Sequence, residues 1–202
     1  MKKTVVSFLV SGRGSNFTVI AEKILSGSIN AEIGAVISNK ADAPALDTAR
    51  KLGLAAYAVE SGKYLTRKGH EKEIVRILEK HGTGLVIAAG YMRILTPYII
   101  GKYRHRIMNV HPALLPAFPG IAAQKQALNY GVKVSGCTIH FIDEGTDTGP
   151  IIIQRTVPVL DGDSPADLSR RILEQEHEAF PEAVSLFCQG RIEVIGRKIK
   201  IK

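Results

Sequence analysis

Two polar side chains, Asn109 and His111, stand two residues apart immediately before Pro112. The run before them predicts a strand, and residues two apart on a strand face the same side, so both side chains would lie together where the strand ends. An amide donor beside an imidazole can hold a developing oxyanion and move a proton near neutral pH. The spacing alone also fits a structural role, in which His111 caps a turn and Asn109 binds backbone.

An acidic loop, residues 140–150, lies between two apolar runs and carries the carboxylates of Asp143, Glu144 and Asp147. A carboxylate brought against His111 would favour the cationic form of the imidazole. The competing interpretation is an ordinary solvated acidic turn, which loops of this composition commonly form.

A glycine-rich turn with Gly12, Gly14, Ser15 and Asn16 follows the first apolar run. Backbone N–H groups at such a strand-to-helix turn favour an anion. Phe17 stands where a dinucleotide fingerprint has its third glycine, and the turn has no Walker lysine, so the pattern favours a mononucleotide-type phosphate site over NAD or ATP. The alternative is that Ser15 or Asn16 only caps the following helix.

The elements that must position these residues alternate between apolar strands and amphipathic helices. Strands are predicted at residues 4–10, 33–38, 54–59, 85–89 and 106–110, with helices between them. This alternation predicts an α/β fold with a doubly wound, mostly parallel sheet, in which ligands collect at the carboxyl ends of the strands. Residues 134–142 and 150–159 predict an antiparallel extension, followed by a long helix from Pro165 and a basic edge hairpin.

Length and composition exclude several classes of protein. The chain has 202 residues, of which 45% are apolar, so it can bury a core and is not intrinsically disordered. Cys137 and Cys188 stand alone, which excludes a disulfide framework and a cysteine-based zinc site, and the histidines show no metal-ligand spacing, so we expect no metal. No apolar run approaches the ~18 residues that a membrane span needs.

We expect one domain over residues 1–202, with a mononucleotide-binding half at about 1–110 and a second half at about 111–202. The first strand begins by Thr4 without a cleavage pattern, so we expect a cytoplasmic protein. The net charge of +8 fits either a nucleic-acid surface or small anionic substrates. The sequence shows no helix-turn-helix, RNA-recognition or zinc-finger signature, so we expect no nucleic acid and no membrane partner.

Six motifs, in order along nearly the whole chain, resemble those of the folate-dependent phosphoribosylglycinamide formyltransferase family. They are residues 11–16, 38–43, 89–95, 109–120, 143–150 and 175–177. The resemblance implies a Rossmann-like formyltransferase fold. It also implies an enzyme of purine biosynthesis that uses 10-formyltetrahydrofolate as a consumed cosubstrate, with small-molecule partners only, as a monomer or homodimer.

The resemblance further implies roles for individual residues. The catalytic trio would be Asn109, His111 and Asp147. Glycinamide ribonucleotide would be held by Gly14, Ser15, Asn16 and Glu176. The folate would be bound by Arg67, Met92, Arg93, Ile94, Leu95, Asn109, Asp143, Glu144, Gly145, Thr146 and Asp147. Two positions depart from the family pattern: Ala113 replaces a common serine and Ala122 a common histidine, which leaves the order of that segment around a ligand in question.

Other enzymes that use a formyl folate share the Asn, His and Asp arrangement. Methionyl-tRNA formyltransferase carries an additional tRNA-binding domain, and formyltetrahydrofolate deformylase an additional regulatory domain. The length of this chain leaves no room for either, so we expect neither activity. A nucleic-acid-binding protein and a catalytically silent module of the same fold are the remaining alternatives.

Overall fold

The computed structural model describes residues 3–88 and 90–202. Its internal contacts divide the chain into two compact units, and the division falls between Asn109 and Val110. A single domain over the whole chain stays a prediction.

The first unit alternates strands and helices. Its elements are β1 (Thr4–Val10), α1 (Ser15–Leu25), β2 (Ala31–Ser38), α2 (Pro44–Lys51), β3 (Ala56–Ala58), a 3-10 turn (Ser61–Lys63), α3 (Arg67–Lys80), β4 (Leu85–Ala88), α4 (Pro97–Lys102) and β5 (Ile107–His111), whose last two residues belong to the second unit. The pairs β1–β2, β1–β4, β2–β3 and β4–β5 are all parallel.

Buried apolar side chains explain why this unit forms a layered sheet. Phe8 on β1 packs edge to face on Phe17 of α1, with ring centroids 5.0 Å apart, and both rings are fully buried. Strands buried on both faces are typical of parallel sheets covered by helices. Helix α3 begins where Thr66 accepts a hydrogen bond from the backbone of Gly69 at 3.0 Å, as an N-cap threonine does.

The second unit is built on an antiparallel pair. Its elements are α5 (Ala123–Tyr130), β6 (Val134–Phe141), β7 (Ile151–Pro158), α6 (Pro165–Cys188), β8 (Ile192–Ile195) and β9 (Lys198–Ile201). Strands β6 and β7 are antiparallel, and β8 and β9 form a separate hairpin. A side chain at Gly136 on β6 would lie 1.9 Å from the carbonyl oxygen of Arg155, so this close pairing requires glycine.

Within the described residues, the strands of the first unit follow the order β3-β2-β1-β4-β5, and β6 pairs with β7 in the second unit. The prediction of an α/β fold with a mostly parallel sheet and an antiparallel extension is therefore confirmed. The strand predicted at 54–59 is shorter, Ala56–Ala58. It begins later because the N–H of Leu54 instead bonds the carbonyl of Ala49, in the last turn of α2, at 2.9 Å. Ala89, at the end of another predicted strand, lies outside the described residues. No described helix is long and apolar enough to cross a membrane.

Candidate active site

His111 ends β5 with its imidazole buried between two oxygen atoms. Its Nδ1 lies 3.3 Å from Oδ2 of Asp147, and its Nε2 lies 2.8 Å from the carbonyl oxygen of Phe118. A carbonyl oxygen only accepts, so Nε2 carries the proton of that hydrogen bond. A doubly protonated ring could donate to both oxygens at once, and Asp147 is the anion placed to balance its charge.

Asp147 is the carboxylate of the acidic loop that the structure brings to His111. Its Oδ2 also accepts a hydrogen bond from the backbone of Gly120 at 2.8 Å. The side chain is largely buried, so these donors replace water around the charge.

Backbone strain is concentrated around this pair. Asp147, Phe118 and Ala122 adopt left-handed backbone angles, with φ of 54°, 54° and 55°, although none is glycine. Each such residue costs about 1–2 kcal/mol and persists only where its surroundings hold it. Phe118 supplies the carbonyl that meets His111, so the strained turn directly positions a contact of the imidazole.

A second histidine, His140, faces the same carboxylate. It is buried on β6, with Nε2 3.8 Å from Oδ1 of Asp147 and Nδ1 2.9 Å from the carbonyl oxygen of Phe141. Burial lowers the pKa of His140, while the Phe141 carbonyl and Asp147 act in the opposite direction. No sequence pattern indicates a role for His140, because its spacing relative to His111 does not signal a contact.

Thr138 fixes the loop that follows His111. Its hydroxyl donates to the carbonyl of Ala113 at 2.7 Å and accepts from the backbone of Leu115 and from Nε2 of Gln154, both at 3.0 Å. Gln154 also donates to the carbonyl of Leu115 at 2.9 Å. These hydrogen bonds, centred on the buried Thr138, determine where the chain leaves His111.

The other carboxylates of the acidic loop have different surroundings. Oδ1 of Asp143 accepts from the hydroxyl of Thr148 at 2.6 Å and from the backbone of Gly145 at 3.1 Å, so Asp143 shapes the turn itself. Glu144, Gly145 and Thr146 are exposed. The competing interpretation, a solvated turn, therefore describes the tip of the loop but not Asp147.

The glycine-rich turn of the first unit places a helix start next to β1. Gly14 is the N-cap residue of α1, with φ of 70° and no side-chain cap, and Ser15 and Asn16 are the first helical residues. The alternative that Ser15 or Asn16 caps the helix is therefore wrong. A side chain on Gly14 would lie 2.8 Å from Cβ of Ala45, so glycine is needed for space as well as for φ. Ser15 is exposed at this helix N-terminus, where an anion would bind.

Residues 92–95 form an irregular segment with an apolar, exposed surface. The side chain of Met92 is 74% exposed and that of Ile94 67%, whereas Leu95 is buried. The backbone N–H of Met92 donates to Oγ of Ser11 at 2.8 Å, which joins this segment to the residue before the glycine-rich turn.

The predicted folate-binding arginines lie in the same unit. Arg67 is exposed at the first position of α3. Burial raises the pKa of Tyr91, and the positive charge of Arg93 opposes that rise. Burial lowers the pKa of His70, and the charge of Arg93 lowers it further. Arg93 therefore lies near α3, which carries His70.

Glu176 is buried on α6. Burial raises the pKa of the Cys137 thiol on β6 to about 12, and the charge of Glu176 acts in the same direction, so the two side chains are neighbours.

In residues 3–88 and 90–202, no group of three or more His, Cys, Asp or Glu side chains could hold a metal ion.

Comparisons with known proteins bear on what this arrangement does. Residues 3–184 match the family model described as formyl transferase. Phosphoribosylglycinamide formyltransferase of Escherichia coli (strain K12) is 37% identical over 92% of this chain and 88% of its own length. The human trifunctional purine biosynthetic protein adenosine-3 is 40% identical over 99% of this chain, which spans 20% of that protein.

Two solved structures are similar to this chain in fold and in sequence. The crystal structure of glycinamide ribonucleotide transformylase 1 from Symbiobacterium toebii has a TM-score of 0.97 and 44% identity, covering 98% of this chain and 94% of that one. A formyltetrahydrofolate deformylase from Pseudomonas syringae has a TM-score of 0.92 and 27% identity, and this chain covers 66% of it.

Proposed function

Because this chain belongs to the formyl transferase family, we propose that it transfers the formyl group of 10-formyltetrahydrofolate to the amine of glycinamide ribonucleotide in purine biosynthesis. The observation that carries the proposal is the buried pair of His111 and Asp147, 3.3 Å apart. It occurs in a chain that is 37% and 44% identical to two proteins named for this activity.

The reaction needs a group that stabilises negative charge and a group that moves a proton. The neutral amine attacks the formyl carbon, a C–N bond forms, and the formyl oxygen becomes an oxyanion. The intermediate collapses as the bond between the formyl carbon and N10 breaks. One proton leaves the attacking nitrogen and N10 takes up one proton, so that tetrahydrofolate departs as the leaving group.

We assign the oxyanion to Asn109 and to Nε2 of His111, because Nδ1 of the ring faces Asp147. Nε2 is hydrogen-bonded to the Phe118 carbonyl at 2.8 Å, and the oxyanion must replace that acceptor. We therefore expect the turn at Phe118 to shift when substrates bind. Asp147 orients His111, balances its charge and accepts the proton of the amine, directly or through water.

The remaining predicted residues bind the substrates in this proposal. Backbone N–H groups at the start of α1 suit a phosphate, with the ribonucleotide held by Gly14, Ser15, Asn16 and Glu176. The folate is bound by Arg67, by Met92, Arg93, Ile94 and Leu95, by Asn109, and by the loop of Asp143, Glu144, Gly145, Thr146 and Asp147. An exposed apolar segment that itself contains Arg93 suits a flat ring with an anionic tail.

The folate is a consumed cosubstrate, and the chemistry described needs no metal. We propose a cytoplasmic enzyme whose partners are small molecules. The free thiols of Cys137 and Cys188 suit a reducing compartment.

Hydrolysis of the formyl folate is the second candidate, because the deformylase structure shares this fold at 27% identity. In that reaction water takes the place of the amine at the same formyl carbon. The higher identities, 37% and 44%, to proteins that act on glycinamide ribonucleotide favour the amine as acceptor.

One assay separates the candidates. Purified protein is mixed with 10-formyltetrahydrofolate and offered glycinamide ribonucleotide, methionyl-tRNA, or water alone as acceptor, and the appearance of tetrahydrofolate is followed. We expect turnover with the ribonucleotide and little with the other two. Equal rates with and without the ribonucleotide would indicate a deformylase, and no product in any mixture would refute the proposed function.

A further inference from the structure

The irregular segment 92–95 is held at both ends by buried side chains from distant parts of the chain. Ser11 contacts its first residue, 81 positions away in sequence. Glu71 contacts Thr96, the residue that follows its last position, 25 positions away. Neither Ser11 nor Glu71 belongs to the residues assigned above to catalysis or substrate binding.

Ser11 connects the residues that follow three strands, β1, β2 and β4. It is 5% exposed and follows β1 directly. Its hydroxyl donates to Oδ1 of Asn39, just beyond β2, at 2.5 Å, and accepts from the N–H of Met92, which follows β4, at 2.8 Å. Both bonds use the same hydroxyl, so its proton is directed to Asn39 and a lone pair is left for Met92.

Glu71 fixes the other end with two contacts from one carboxylate. Its side chain is 2% exposed on α3. Oε1 accepts from the N–H of Thr96 at 2.7 Å, and Oε2 accepts from the hydroxyl of Thr96. A buried carboxylate is costly unless it is hydrogen-bonded, and charge-assisted bonds of this kind are strong. Thr96 also accepts from the N–H of Tyr98 at 3.3 Å and begins α4, so its position is closely defined.

We propose that Ser11 and Glu71 are positioning residues that hold the backbone of residues 92–95 in the conformation that binds the folate ring. This rests on the proposed function, in which that segment contacts the folate. Backbone groups recognise a planar ring well only when they are fixed beforehand, because ordering a loop on binding costs free energy. The segment has no helix or strand of its own to fix it, so the two side chains supply the constraint.

The test separates binding of the two substrates. Glu71→Ala removes both acceptors of Thr96, and we expect the KM for 10-formyltetrahydrofolate to rise about tenfold or more, with the KM for glycinamide ribonucleotide changed less than about twofold. Glu71→Gln keeps one acceptor oxygen and can donate to the Thr96 hydroxyl, so it should recover most of the loss. Ser11→Ala should raise the folate KM about three- to tenfold, since it removes one neutral contact.

Ser7→Ala is the matched control for Ser11→Ala. Ser7 is a buried serine on β1, the strand that Ser11 follows. Its hydroxyl contacts the hydroxyl of Thr83 at 2.8 Å and accepts from the N–H of Ala35 at 3.1 Å. Its removal costs two buried hydrogen bonds without touching residues 92–95, so stability should fall while the folate KM stays constant. An equal rise in folate KM for Ser7→Ala and Ser11→Ala would overturn the proposal, because the effect would then be general.

Hydrogen exchange gives a readout that does not depend on activity. The Met92 amide should exchange faster in Ser11→Ala and the Thr96 amide faster in Glu71→Ala, each without acceleration in Ser7→Ala. Calorimetric titration with 5-formyltetrahydrofolate should show the same losses of affinity. Unchanged exchange and affinity in both variants would refute the positioning role. An inactive wild-type protein that still binds the folate would instead refute the proposed function alone.

Discussion

The two parts of the molecule that carry predicted site residues are built on different principles. In the first unit, the glycine-rich turn and residues 92–95 present backbone groups to the proposed ligands. The side chains that support them, Ser11 and Glu71, are buried. In the second unit, the functional groups are themselves side chains, with His111 and Asp147 held against each other by strained turns. Replacing a side chain should therefore have different consequences in the two units.

A backbone site tolerates neutral changes at its own exposed side chains, but it is sensitive to an introduced charge and to changes in the side chains that support it. A side-chain site loses its chemistry when one atom of the pair is changed. We therefore expect substitutions at the glycine-rich turn and at the supports of residues 92–95 to alter mainly KM, and those at the pair of His111 and Asp147 to alter mainly kcat.

The largest effect is expected from the pair. His111→Ala and Asp147→Asn should each lower kcat about 10²- to 10³-fold or more, since each removes a group that acts in the transition state. Steady-state kinetics with both substrates saturating measures this, and circular dichroism checks the fold. Asp161→Asn is the control: it neutralises an exposed carboxylate of the same unit, paired with Lys133 at 3.0 Å, and should leave kcat unchanged. Activity within twofold of wild type would remove either residue from the mechanism.

A charge introduced at the glycine-rich turn should act on binding alone. Ser15→Asp should raise the KM for glycinamide ribonucleotide about tenfold or more, because its carboxylate would repel the phosphate. Asp at a helix N-terminus is itself favourable, so the melting temperature should not fall. Ser26→Asp at the other end of α1 carries the same charge and should leave the KM unchanged. A KM that is insensitive to Ser15→Asp would mean that the phosphate binds elsewhere.

The fold was largely predictable because each strand is a short apolar run bounded by a turn or helix signal. The strand at 54–59 was predicted too long, since the sequence does not show that the N–H of Leu54 closes α2. The family was also predictable, because six motifs occurred in order along nearly the whole chain, and this prediction is confirmed.

The site was predictable only where residues are close in sequence or belong to a motif. The approach of Asp147 to His111 was expected as a possibility, but the contact of Phe118 depends on a left-handed turn without glycine, which leaves no sequence signal. The contacts of Ser11 and Glu71 join residues 81 and 25 positions apart, which no spacing pattern reveals. The roles of the ligand-binding residues stay predictions.

Buried histidines should make stability depend on pH in both units. Burial lowers the pKa of His70 and of His140, so each resists protonation in the folded state, while the unfolded chain binds protons at the ordinary value. The stability they contribute is therefore present above about pH 6.5 and is lost as the pH falls through the lowered pKa values. Thermal unfolding at pH 7.5 and 5.5 should show a lower melting temperature at pH 5.5, and His70→Gln should reduce that difference. An unchanged difference would mean that His70 does not contribute.

The smallest effect concerns two helices that begin alike. Helices α1 and α5 both follow an N-cap residue with a left-handed backbone, which is Gly14 in the first unit and the exposed Ala122 in the second. Alanine has a steric cost there that glycine lacks, and it offers no side-chain cap. Ala122→Asn should therefore stabilise the protein by about 1 kcal/mol, since asparagine tolerates this conformation and can cap the helix, and Ala122→Gly by about half as much.

Denaturant unfolding of the three proteins measures this series. If Ala122→Gly stabilises as much as Ala122→Asn, relief of strain accounts for the gain and capping adds nothing. If both variants lower the free energy of unfolding, the left-handed backbone of Ala122 is not a source of strain in the second unit. A gain in stability accompanied by a fall in kcat would instead connect that strain to His111 and Asp147, because Gly120, two residues before Ala122, donates to Asp147.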